Sequence, residues 1–152
     1  MTQIFRAIAK GQLVPYHFMQ SDVAVSQTDV QLTIAEVRDA AATADDQNAV
    51  DEYVAPFDGE IIGIGVDFST AVTAGSFTAG PTINGTEVAA LTQTFAGAGQ
   101  RANATVKRGT APFLRGAQIG AEITTNGSFA PITADVLVTV YVLLYLGQGA
   151  VI

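Results

Sequence analysis

Residues 58–87, DGEIIGIGVDFSTAVTAGSFTAGPTINGTE, leave few folds open to this chain. Ile62, Ile64, Val66 and Phe68 alternate with Ile61, Gly63, Gly65 and Asp67, and a period of two places one set on the buried face of a β-strand. The mixed character of the second set implies partial cover on that side as well. Ala74-Gly75 supplies a turn, residues 76–83 make a second strand rich in Thr and small residues, and Asn84-Gly85 follows. Asn-Gly signals a hairpin because a two-residue type I′ turn needs positive φ at both positions, which these residues tolerate. No evident catalytic group stands out in the stretch, which tilts the reading towards a structural or binding protein.

The rest of the chain continues the β pattern. Residues 1–20 scatter Ile4, Phe5, Ile8, Leu13, Val14 and Phe18 without a clean period, as an extended arm would. Val30, Leu32 and Ile34 alternate with polar neighbours, with a shorter strand around residues 23–25. Residues 38–51 are Ala-rich and acidic, a loop or one short helix, and strand composition resumes at 52–57. Further strands are expected over 86–95, 100–107, 117–125 and 135–146, separated by a turn at 96–99, a Gly- and Pro-punctuated loop at 108–116 and a loop opening at Asn126-Gly127. The last strand is apolar on both faces, as expected of a central strand covered on both sides. About eight strands and almost no helix predict a single antiparallel β-sandwich, with a jelly roll as the leading architecture. The expected organisation is an N-terminal arm (1–20), the sandwich (21–146) and a C-terminal tail (147–152).

Composition narrows the function. Charged residues make up 14% of the 152 residues, below the roughly 25% of ordinary soluble domains, and a surface so poor in charge is often covered by other copies or a larger assembly. A net charge of −7 argues against nucleic acid, whose phosphates are neutralised by Lys and Arg. The absence of Cys removes disulfides, thiol nucleophiles and Cys-based metal sites, so the chain is expected to fold in a reducing cytoplasm. The most apolar stretch, 136–146, is too short for a membrane helix of about 20 residues, and the first twenty residues lack the features of a signal peptide. No membrane partner is expected.

Candidate chemistry is sparse. The one His, His17, lies beside Tyr16 and Phe18 and reads as a side chain packed among aromatics. Asp58, Glu60 and Asp67 are the nominees for paired carboxylates, although Asp58-Gly59 is more simply a turn. Asp45, Asp46 and Asp51 lack the Gly-punctuated spacing of a calcium loop, and Gly63-Ile-Gly65 is half of a dinucleotide fingerprint with no helix behind it. Three Asn-x-Ser/Thr triplets, at Asn84, Asn103 and Asn126, match a glycosylation pattern only formally. No enzyme, cofactor or metal is expected.

The runs APFDGEIIGIGVDFSTAVTAGSFTAGPTINGT and IGAEITTNGSFAPITADVLVTVYVLLYL resemble the small β-sandwich virion proteins of tailed bacteriophages, in particular capsid decoration (cement) proteins. The resemblance covers about residues 54–146 and rests on strand and turn motifs. It implies a homotrimer on the outside of a capsid, bound to the major capsid protein around local threefold axes, made in the host bacterial cytoplasm and stabilising the head. The competing reading is a receptor- or carbohydrate-binding head of a phage fibre, with Phe129 or Phe113 exposed to stack on sugar. The arm is expected to dock on another chain through Phe5, Ile8, Leu13 and Phe18. Strand counting puts loops 70–75, 96–99 and 126–133 at one end of the sandwich, and 51–58, Asn84-Gly85 and 108–115 at the other. That second end collects acids from 36–60 and the bases Arg108 and Arg115. Replacing Arg108 and Arg115 by Glu is expected to leave the fold intact while weakening assembly or capsid loading.

Overall fold

The computed structural model describes residues 11–34 and 51–146. In chain order its strands are β1 (Gln12–Gln20), β2 (Val30–Gln31), β3 (Tyr53–Val54), β4 (Gly59–Val72), β5 (Ser76–Ile83), β6 (Thr86–Glu87), β7 (Gln93–Ala96), β8 (Gly99–Thr105), β9 (Pro112–Phe113), β10 (Gln118–Thr125) and β11 (Val136–Leu144). One antiparallel sheet runs β1-β11-β4-β8, with β9 also on β4. The other runs β2-β10-β5-β6, with β3 on β10 and β7 on β5. The chain passes repeatedly from one sheet to the other, and this strand order is that of a jelly-roll sandwich.

The core follows from alternation. Val136, Val138, Val140, Val142 and Leu144 of β11 face Ile119, Ala121 and Ile123 of β10 across the interior, and all are buried. Phe68 bridges the sheets at one end, with ring centroids 4.7 Å from Phe77, 5.4 Å from Phe95 and 6.2 Å from Phe129. Tyr53 does the same elsewhere, stacked on Tyr16 at 4.2 Å and edge-on to Phe18 at 5.5 Å. Asn84 and Gly85 both have positive φ, 51° and 73°, and join Ile83 to Thr86 as the type I′ turn requires.

Four expectations are corrected. The second half of the expected arm is not an arm: Gln12–Gln20 is an edge strand paired along its whole length with β11, and Tyr16, Phe18 and Gln20 point into the core. Pro15 obscures the strand period and suits an edge, where a missing N–H breaks no ladder. On β4 the buried set is Ile61, Ile64, Val66 and Phe68, while Ile62 is only half-buried. Tyr141 stands opposite Gly63 and Val142 opposite Ile61, so Ile62 is a bulge that shifts the alternation by one residue. The expected strand over 86–95 is broken by a 3₁₀ turn at Ala89–Leu91. Finally, β11 is central, yet Leu137, Thr139, Tyr141 and Leu143 form a partly open outer face rather than a covered one. Arm residues 1–10, most of the acidic stretch 38–51 and the tail 147–152 lie outside the described residues.

Truncating the aromatic bridge is the most damaging single change expected. Phe68→Ala should lower unfolding free energy by about 3–5 kcal/mol in urea titrations, and a loss below about 1 kcal/mol would show that the cluster carries little of the stability.

Candidate protein interface at one end of the sandwich

The two ends fall as strand counting predicts. Thr73 N–H donates to Ala130 O at 2.8 Å and Gly97 N–H to Gly75 O at 2.9 Å, which brings loops 70–75, 96–99 and 126–133 together. At the opposite end Ala55 N–H donates to Ala117 O and Gly116 N–H to Ala55 O, both at 2.8 Å, and Gln118 N–H donates to the Asn84 side-chain oxygen at 2.9 Å. Asp58 ties two more segments there: its carboxylate accepts the Arg115 N–H at 2.8 Å and its carbonyl accepts the Tyr145 N–H at 2.8 Å.

These cross-ties hold an apolar surface open. Leu114 is 74% exposed and Val54 65%, and Phe57 and Leu146 stand exposed beside them in the sequence of the same tied segments. The cause is local: Phe113 on β9 pairs with Gly59 and turns inward, so its neighbour Leu114 turns out, and the Ala117 N–H to Leu114 O bond closes the turn in that position. An exposed apolar cluster on backbone-fixed loops is a feature of protein-binding surfaces. Leu13, 53% exposed opposite Leu143, continues the apolar character onto the outer face of the first sheet.

Behind the surface lies a buried carboxylate. Glu60 has no exposed surface, its Oε1 accepts from Arg108 Nε at 2.8 Å and its Oε2 from the Gly109 N–H. Burial pushes the Glu60 carboxyl up, but the Gly109 N–H, the Arg108 guanidinium and the Tyr145 hydroxyl together hold it below the usual carboxylate range. The guanidinium also sits 5.6 Å from the Tyr145 ring centroid.

The candidate residues separate accordingly. Arg108 is the internal partner of Glu60, so the expectation that Arg108→Glu leaves the fold intact is corrected: it would set a second carboxylate against a buried one. Arg115 is exposed and its side chain makes no ion pair among the described residues, so it is free for a partner. Leu13 is also open to a partner, whereas Phe18 is buried in the core; Phe5 and Ile8 lie outside the described residues. Phe113 and Phe129, named for sugar stacking, are both buried. His17 points outward with Nδ1 3.1 Å from Thr139 Oγ1, not among aromatics. Asp67 pairs with Arg101 and Glu60 with Arg108, so these two nominated carboxylates are each held by a different base, and Asp58 accepts the Arg115 N–H. Among the described residues no three His, Asp or Glu side chains are placed to hold a metal, and no helix is long and apolar enough to cross a membrane. The apolar end escaped sequence reading because Leu114 and Phe57 look like ordinary hydrophobic residues until the inward turn of Phe113 is known.

No protein-family model matches the chain, and no curated protein matches it.

Because the folded Glu60 carboxyl lies below its unfolded value, its contribution is present above the unfolded pKa and is lost as pH falls through the folded one. Glu60→Gln should therefore melt lower than the wild type at neutral pH, with the gap closing as pH falls below the ordinary carboxylate range. A gap that stays constant over that range would show that the charge of Glu60 contributes nothing.

Proposed function

We propose that the chain is a structural virion protein that binds the outer surface of a bacteriophage capsid as a homotrimer and stabilises the head. The observation that carries this reading is the pre-tied apolar end: Val54, Phe57, Leu114 and Leu146 exposed on loops fixed by backbone hydrogen bonds. The resemblance of residues 54–146 to decoration proteins supports it, as does a jelly roll with few charges. Fully covering a Leu, Val or Phe side chain is worth about 1.5–3 kcal/mol, so a few such residues give a modest contact per subunit. Three copies around an axis multiply it through effective concentration, with no deep pocket required. The major capsid protein is the partner at this end. Leu13, Tyr141 and Leu143 on the outer face of the first sheet offer the subunit contact. Arg115 sets register and partner choice by its charge.

Leu114→Asp combined with Phe57→Ser should leave the melting temperature nearly unchanged, since both side chains are exposed, yet sharply reduce loading onto capsids lacking the protein. Normal loading by that variant would remove this end from the proposal. The subunit contact is tested separately by light scattering after size exclusion. A trimer is expected for the wild type and smaller species for Leu13→Asp, and a monomer at tens of micromolar would sink the trimer.

A further inference from the structure

At the other end of the molecule β4 parts from its neighbour. Its register with β8 jumps from Asp67 opposite Arg101 to Val72 opposite Gly99, so residues 68–71 stand against Gln100 alone. Bulges of this kind bend a strand and re-aim side chains. A cleft of about 390 Å³ lies beside this irregularity, at the small end of the range for ligand sites.

The lining is mixed in a specific way. Met19 and Leu137 supply apolar surface and stand in one register row with Asp67 and Arg101 across β1, β11, β4 and β8. Arg101 Nε donates to Asp67 Oδ1 at 2.9 Å, and among the described residues the remaining guanidinium nitrogens and the second carboxylate oxygen are unspent. Ser69 Oγ accepts the Asp135 N–H at 2.9 Å and keeps its own proton to donate. Gln100 Nε2 donates to the Phe68 carbonyl at 3.0 Å, leaving its amide oxygen as an acceptor. Gln20 also borders the cleft from β1, with its side chain turned into the core.

We propose that this cleft binds a neutral saccharide of one or two sugar units. Each sugar hydroxyl both donates and accepts, so it can bridge the free donors of Arg101 and the free acceptor of Asp67, which a group that only donates or only accepts cannot do. The C–H face of the ring covers Met19 and Leu137. Two acids, Asp67 and Asp135, against one base, Arg101, disfavour phosphate or a carboxylated ligand. A bare cation would meet the Arg101 guanidinium and leave the surface of Met19 and Leu137 uncovered. The cleft lies about 20 Å along β1 from Leu13 at the usual strand rise, so a neighbour seated on the opposite end leaves it open. This inference does not depend on attachment to a capsid.

The test is titration of the ¹⁵N-labelled full-length chain with glucose, galactose, maltose and lactose, followed through amide shifts. With at least one sugar, saturable shifts are expected around residues 19–21, 67–69, 100–101 and 135–137, with a Kd in the millimolar range. Arg101→Ala and Asp67→Asn should each weaken binding by about tenfold or more while leaving the melting temperature and oligomeric state unchanged, because this pair is exposed. The proposal is overturned by the absence of saturable shifts in that set with all four sugars, by shifts centred elsewhere, by affinity indifferent to both substitutions, or by tighter binding of inorganic phosphate.

Discussion

The ladder between β4 and β11 is the interaction on which the rest of the molecule depends. It runs from Gly59 opposite Leu144 to Phe68 opposite Val136, and it places β11 between β1 and β4 in the middle of the first sheet. Its bulge at Ile62 decides more than local shape. In an unbroken alternation with Ile64, Val66 and Phe68 inward, Ile62 and Glu60 would also face the core. The extra residue turns Ile61 in and Glu60 out to the other side, where Arg108 and Gly109 can reach its carboxylate. A bare charge in the core would cost many kcal/mol; on the outer side, under the 108–109 loop, it becomes the tie that fixes that loop. One inserted residue thus sets both the core and the scaffold of the apolar end.

The same strand explains what could be read from the sequence. Residues 76–83 were legible from their Thr-rich composition between two turns, the Asn84-Gly85 turn from its tolerance of positive φ, and the Ile119-Ala121-Ile123 face from its alternation. The grouping of the loops was legible too, since it needs only strand count and direction. Ile62 was misplaced because a bulge leaves no mark in a hydrophobic run; both phases of IIGIGV look equally apolar. The first strand was missed for a related reason: Pro15 and His17 lie on its outer face, and Leu13 is exposed, so its alternation is apolar-in with an outer face that is not plainly polar. The Glu60–Arg108 pair joins residues distant in sequence, and only the fold brings them together.

Charge is distributed unevenly between the faces, and the carboxylates respond in opposite directions. On the outer face of the second sheet, burial, then Asp29 and Glu87, raise the Glu122 carboxyl, and burial with Asp51 raises Glu52. Protonating those groups favours the folded state, whereas protonating Glu60 removes a contribution to it. Mild acid therefore relieves repulsion on one face before stronger acid loosens the loop at the apolar end. The like-charged face would also repel a second copy of itself, which disfavours pairing of two copies through the second sheet.

The jelly roll makes a division of labour between the ends possible. Because successive strands run oppositely and change sheets, loops distant in sequence gather at each end, and one end can be altered without disturbing the other. At the apolar end the loops are held by backbone hydrogen bonds and by Asp58, so little conformational entropy is lost when a partner covers them. That economy matters for a surface with only a handful of exposed apolar side chains, since a floppy loop would consume the modest energy that their burial yields. At the far end the ladder is deliberately incomplete: where β8 releases β4, backbone and side chains gain room to form a cleft, while the Phe68 cluster beneath keeps the two sheets together. Rigid loops at one end and a broken ladder at the other leave two different kinds of surface on a closed sandwich, whose filled interior means that any partner would have to use its ends and faces.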